Sequence, residues 1–137
     1  MSLYKKILLL LDCSKVDEVI IDHVLKLSQI HKSSVHLFHV VHAHTLDQER
    51  YLIEKTKECF EKAENFFKDN QIEVTNSYKL GEPEDEVLKI VNEGNWDLVC
   101  LATHGHKGIK DFLEGSVSDV LKHSTDKPIL MIRGKLK

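Results

Sequence analysis

The residues best suited to chemistry fall in two short segments. One is Asp12-Cys13-Ser14, which closes the apolar run Ile7-Leu8-Leu9-Leu10-Leu11. The other is Ala102-Thr103-His104-Gly105, which follows a second apolar run and continues through nine residues to Gly115-Ser116. Glycines at 105, 108 and 115 let a backbone curl so that successive amide hydrogens face one point. A helix opening at Ser116 adds its own unpaired amides and the positive end of its dipole, so phosphate is the natural occupant. Ser116 and Ser118 contribute hydroxyl donors, and Asp12 can accept from a ribose hydroxyl or an adenine amine. His104, His106, Lys107 and Lys110 can supply positive charge nearby. Plainer readings stay open: Ser116 with Asp119 is also a capping box, Gly105 and Gly115 can simply turn the chain, and Asp12 can cap the helix that follows it.

Other clusters point elsewhere less strongly. His36, His39, His42 and His44 invite a metal, but alternation along a strand sends His36 and His39 to opposite faces, and no Cys or carboxylate joins them at ligand spacing. No metal site is expected. Cys13, Cys59 and Cys100 are odd in number, far apart and in no CxxC arrangement, which argues against a disulfide framework and favours a reducing, cytoplasmic setting. Cys59 and Cys100 read as small buried apolar residues, and Cys13, near a helix N-terminus, as the candidate for reactivity. The tetrad Thr103-His104-Gly105-His106 is similar to the Thr/His-x-Gly-His signature of nucleotidylyltransferases, but that signature belongs after a first strand and its companion motif near the chain end is missing. There is no Gly-x-x-x-x-Gly-Lys-Ser/Thr loop, nucleophile elbow or Glu-rich metal site. With no placed general base, a non-enzymatic role is expected, with ATP hydrolysis at most slow and incidental.

The elements that must position these segments follow from period and composition. The chain has 137 residues, 42% apolar and 30% charged, the profile of one ordinary globular domain spanning residues 1–137. Nineteen Lys+Arg against 22 Asp+Glu give a net charge of −3, so no global positive field is available for a nucleic acid or an anionic membrane. The five-residue run from Ile7 is far short of the roughly 20 that would span a bilayer. Ile7 to Leu11, continuous and apolar, predicts a central parallel strand covered on both faces. Ser14 with Asp17 predicts a capped helix start, with Val16, Val19, Ile20, Val24 and Leu27 on one stripe ending near Ile30. Val35 to Val41 predicts a second strand, and a polar stretch from His42 to Arg50 leads to a helix carrying Leu52, Ile53, Thr56, Phe60, Ala63 and Phe67 inward. Val74 to Leu80 is a weaker strand, Pro83 opens a helix that Gly94 can end, and Asp97 to Ala102 is a fourth strand. A short helix from about Ser116 and a strand Pro128 to Ile132 complete the order β-α-β-α-β-α-β-α-β. Right-handed crossovers make this one doubly wound five-stranded parallel α/β sheet with helices on both faces. In such sheets ligands sit at the carboxyl ends of the strands where the winding reverses.

The segment from Ala102 resembles the universal stress protein family, whose ATP-binding members carry Gly-x-x-Gly, nine residues, then Gly-Ser or Gly-Thr. From Gly105, residues 106 to 114 number nine before Gly115-Ser116. The stretch Asp97 to Gly105, the run Gly115-Ser116-Val117-Ser118, the ending Pro128 to Ile132, the opening Tyr4-Lys5-Lys6-Ile7-Leu8 leading to Asp12 and Ser14, and His39-Val40 are all similar to that family. The resemblance implies a Rossmann-like strand order 3-2-1-4-5 and an ATP or AMP site, with Mg2+ accompanying ATP. It places at that site Asp12, Val40, Ala102, Thr103, Gly105, Gly115, Ser116, Val117 and Ser118. It also implies a stress-response sensor or regulator and a homodimer paired through the last strand. Two positions depart from the pattern: Ala102 stands where the first motif glycine belongs, and Leu10-Leu11 where a Pro-Thr or Val-Asp-like pair often precedes the aspartate. If position 102 needs positive φ or close approach to a phosphate, the methyl obstructs it; if it only packs at the strand end, the cost is small. The alternative reading is a nucleotide-independent dimeric interaction module of the same fold.

Overall fold

The unbroken run Leu8-Leu9-Leu10-Leu11 is apolar on both sides because both of its faces are covered. A computed structural model, describing residues 3–104 and 116–134, alternates strands and helices as β1 (Lys6–Leu10), α1 (Asp17–His31), β2 (Ser34–Val41), α2 (Leu46–Asp69), β3 (Val74–Leu80), α3 (Pro83–Glu93), β4 (Leu98–His104), α4 (Ser116–Ser124) and β5 (Ile129–Gly134). The strands form one parallel sheet in the order β3-β2-β1-β4-β5. The predicted architecture and strand order are both present.

Strand pleating sends alternate residues of β1 into two separate cores. Ile7, Leu9 and Leu11 join Ile20 and Val24 of α1 and Phe60, Ala63 and Phe67 of α2. Leu8 and Leu10 join Phe38, Val87 and Val91 of α3, and Val117 and Leu121 of α4. Each fully buried Leu or Ile contributes about 1.5–3 kcal/mol of transfer free energy, and the four β1 side chains from Ile7 to Leu10 are at most 1% exposed. The central strand is therefore the least replaceable element of the fold.

Several boundaries differ from the sequence reading. The second helix starts at Leu46, ahead of Arg50, because Thr45 Oγ1 accepts from the Gln48 amide at 3.1 Å while Gln48 Oε1 accepts from the His44 amide at 2.7 Å. These two bonds satisfy amides that a helix start would leave open. The fourth strand runs on past Ala102 to His104, and the fifth to Gly134, since they pair with each other from Val99↔Ile129 to His104↔Gly134. The first helix begins at Asp17 with no side-chain cap, so Ser14 is not its cap. Of its predicted stripe, Val16, Ile20 and Val24 are buried, whereas Val19 and Leu27 are only half-buried and Leu25 and Ser28 are buried with the first three.

Candidate functional site

The winding reverses between β1 and β4, since β2 and β3 lie on one side of β1 while β4 and β5 lie on the other. Across the three central strands one rung joins Phe38 of β2, Leu10 of β1 and Leu101 of β4. Val40, Asp12 and Thr103 each stand two residues beyond it, toward the carboxyl edge. Three residues drawn from three distant parts of the sequence thus stand toward the carboxyl edge, where such sheets bind ligands. The crossover helix α4 must return from that edge to reach parallel β5, which puts its N-terminus at Ser116 on the same edge.

The loop after β1 is organised by a side chain that sequence reasoning assigned elsewhere. Asp17 is 3% exposed, and its carboxylate accepts from the backbone amides of Asp12 at 3.0 Å, Cys13 at 2.6 Å and Ser14 at 3.4 Å. A carboxylate holding several backbone amides fixes the path of the chain far better than neutral partners would. Ser14 Oγ donates to Asp12 Oδ2 at 2.9 Å, which orients the Asp12 side chain. Just before it, His39 Nδ1–H donates to the Leu11 carbonyl at 2.8 Å, and the Leu11 amide donates to the Phe38 carbonyl at 2.8 Å. The end of β1 is therefore tied to β2 on both sides of its peptide group. The only sequence signals for these roles were the Ser14-to-Asp17 spacing, whose direction is reversed in the fold, and the placement of His39 beside Val40.

Most predicted site residues can be placed. Val40 is 9% exposed in β2, Ala102 is 2% exposed in β4, and Val117 is fully buried in α4. Ser118 is 6% exposed in the first turn of α4, and Thr103 is half-buried near the end of β4. Ala102 is a regular strand residue opposite Ile132 and is not among the non-glycine residues with positive φ. Its methyl therefore costs no backbone strain. Gly105, Gly108 and Gly115, with His106, Lys107 and Lys110, lie outside the described residues, and Ser116 is placed only as the first residue of α4.

The order of the strands matches one known group. The universal stress protein family model matches residues 3–133 of the chain. The chain belongs to the universal stress protein family. A universal stress protein of Methanocaldococcus jannaschii is 24% identical over 157 aligned residues, covering 97% of each chain. The solved structure of that protein superposes with a TM-score of 0.75 at 29% identity, covering 98% of this chain and 99% of the other. A universal stress protein of Archaeoglobus fulgidus solved in complex with dAMP has a TM-score of 0.72 at 18% identity, over 95% of this chain and 98% of its own. One from Arabidopsis thaliana with AMP bound has a TM-score of 0.71 at 16% identity, over 96% and 92%.

In this universal stress protein the cysteines depart from the sequence reading. Cys13 and Cys59 form a disulfide, with Cα atoms 5.7 Å apart and a sequence separation of 46. An odd, scattered count says nothing of which thiols the fold brings together: one sits on the β1–α1 loop, the other on the face of α2 turned toward α1. Both border a cleft of about 570 Å³ lined also by Ser14, Asp17, Ile21 and Phe66. Neither Asp12, Val40 nor Thr103 lines it, so it is separate from the crevice at the winding reversal. The two sulfurs and a carboxylate oxygen of Asp17 lie within 4.8 Å of one another, but the disulfide removes the thiolates and three amides already occupy the carboxylate. Cys100 matches expectation: it is fully buried in β4, and burial pushes its thiol up to about 12. The histidines are engaged separately, His36 with Thr75 and Ser77, His39 with Leu11, and His42 with Gly81 and the His44 ring.

Proposed function

We propose that this chain binds an adenine nucleotide, ATP or AMP, in the crevice beyond β1 and β4 and serves as a stress-response sensor or regulator. The observation that carries the reading is the gathering of Asp12, Val40 and Thr103 toward the carboxyl edge, each two residues along the chain from the Phe38–Leu10–Leu101 rung. Relatives of the same fold solved with AMP and dAMP support the choice of ligand. Asp12, held by Ser14 and by the Asp17-clamped loop, accepts from the ribose or the adenine amine. Val40 offers an apolar wall, and the start of α4, with Ser116 and Ser118, takes the phosphates through amides and hydroxyls. Mg2+, where ATP is the ligand, enters with its phosphates. The role is binding rather than turnover: no general base is assigned, and hydrolysis is at most slow.

The protein acts as a homodimer through β5. That strand is a sheet edge, and Ile129, Leu130, Met131 and Ile132 along it are all only half-buried, an apolar edge that a second copy would cover. The same edge supports the second reading, a dimeric interaction module that has lost its nucleotide, with Ala102 as its sequence mark. A thermal-shift series with ATP, ADP, AMP and cyclic nucleotides, with and without Mg2+, separates the two. A ligand at 100 times its dissociation constant adds about 2.7 kcal/mol of stability. A rise in melting temperature with an adenine nucleotide is the expected outcome, and no rise with any of them selects the module.

A further inference from the structure

The disulfide joins two parts of the molecule that otherwise touch little in sequence: the loop that aims Asp12 and the long helix α2, which packs on β2 and β3. Cys13 is the residue next to Asp12, and its backbone is left-handed, with φ of 59°. A non-glycine side chain holds that conformation only where its surroundings impose it. Two constraints impose it here, the Asp17 carboxylate on the Cys13 amide and the bond from its sulfur to Cys59. Both sulfurs belong to half-buried residues on the rim of the 570 Å³ cleft, within reach of a small reagent, whereas the fully buried Cys100 is not.

We infer that Cys13 and Cys59 form a reversible thiol–disulfide site that sets nucleotide affinity, the oxidised pair holding the Asp12 loop in its binding geometry and the reduced pair releasing it. The inference rests on the nucleotide-binding reading. The oxidant is a low-molecular-weight disulfide, RSSR. One protein thiol loses its proton and attacks a sulfur of RSSR, forming a mixed disulfide and expelling RS⁻. The second protein thiolate then attacks the protein sulfur of that mixed disulfide, forming the Cys13–Cys59 bond and expelling the other RS⁻. The two protons lost by the cysteines end on the two departing thiolates, so two protein thiols are oxidised as RSSR is reduced to two RSH. Reductant reverses each step. The coupling is one of preorganisation: a loop already fixed loses less freedom when the ligand arrives. With the bond to Cys59 broken, one of the two constraints on Cys13 is gone and the Asp17 carboxylate is left to hold its amide, so the loop gains freedom.

The test is isothermal titration of AMP and ATP into the full chain, equilibrated in glutathione disulfide or in excess reductant, with intact mass and thiol alkylation reporting the state of Cys13 and Cys59. The oxidised form should bind roughly tenfold more tightly than the reduced form, an ordinary size for coupling between two sites. Cys59→Ser, which lies on α2 away from the crevice, should bind as the reduced protein does under both conditions. Equal affinity of the two wild-type states, tighter binding by the reduced one, or failure of the pair to oxidise overturns the inference while leaving the nucleotide reading intact. Absence of binding in both states overturns the nucleotide reading itself, and the coupling with it.

Discussion

Asp12 and Asp17, five residues apart, carry the same functional group and do different work because of where their oxygens point. Asp17 is turned inward and spends its carboxylate on backbone amides, so it builds the loop. Asp12 is half-buried at the carboxyl edge, oriented by the Ser14 hydroxyl, and so can meet a ligand. His36 shows how burial governs charge at this scale. Burial, and then the positive charge of Lys6, lower its pKa below the ordinary 6.5, while its two ring nitrogens bond Thr75 at 2.6 Å and Ser77 at 2.8 Å. Between its lowered folded value and 6.5 the unfolded chain binds more protons than the folded one, so stability falls as pH drops through that window. Urea titrations at steps below pH 7 should show this decline, and His36→Gln should flatten it; an unchanged slope in the variant would assign the decline to another group.

Among the elements, the long helix α2 starts on a local capping device. Thr45 and Gln48 close its first turn, and loss of a Thr cap costs about 1 kcal/mol, with a range of roughly 0.5–2. Thr45→Ala should therefore lower the unfolding free energy by that amount, read as a lower denaturation midpoint at an unchanged unfolding slope, and a change in the slope would mean the helix frays in the native state. This device was readable in the sequence, as Thr followed three residues later by Gln, yet it lies in a stretch whose polarity suggested a loop. The strands were legible because β1 and β4 carry continuous apolar runs, the signature of burial on both faces, and β2 is apolar but for Ser34, His36 and His39. Their true ends were less so: β4 and β5 lengthen each other by pairing, a tertiary effect that no local pattern carries. The winding reversal was legible in the alternation of strands and helices, with Asp12, Val40 and Thr103 at or just past the carboxyl ends of β1, β2 and β4. The Asp17 clamp was not, because a carboxylate reaching back to amides looks in sequence the same as the partner of a capping serine. The Cys13–Cys59 bond was equally hidden, since only the packing of α2 beside the β1–α1 loop brings the sulfurs together.

At the scale of the whole molecule the sheet is anchored by covalent and non-covalent ties that meet near the crevice. Gly134 at the end of β5 has no room for a side chain, since a Cβ there would stand 2.7 Å from the Val16 Cβ and 2.9 Å from its carbonyl oxygen. The residues just before α1 are therefore pressed against the last strand, and the disulfide joins the same loop to α2. Closing 46 residues removes denatured-chain entropy worth about 4 kcal/mol in the chain-entropy relation. Reduction should lower the melting temperature by roughly 10–15 °C, read by calorimetry with and without reductant; identical curves would mean that the bond is absent in solution. The central claim is that Asp12, presented at the carboxyl edge by that loop, receives an adenine nucleotide. Its most direct test is calorimetric titration of AMP and ATP into the oxidised chain and into Asp12→Ala, with melting curves confirming that both are folded. Hydrogen bonds to a charged group contribute about 1.5–3 kcal/mol, so the account predicts saturable binding to the parent chain and affinity weaker by roughly 10- to 150-fold in the variant. Equal affinity in the two folded proteins, or no heat from either, would contradict it.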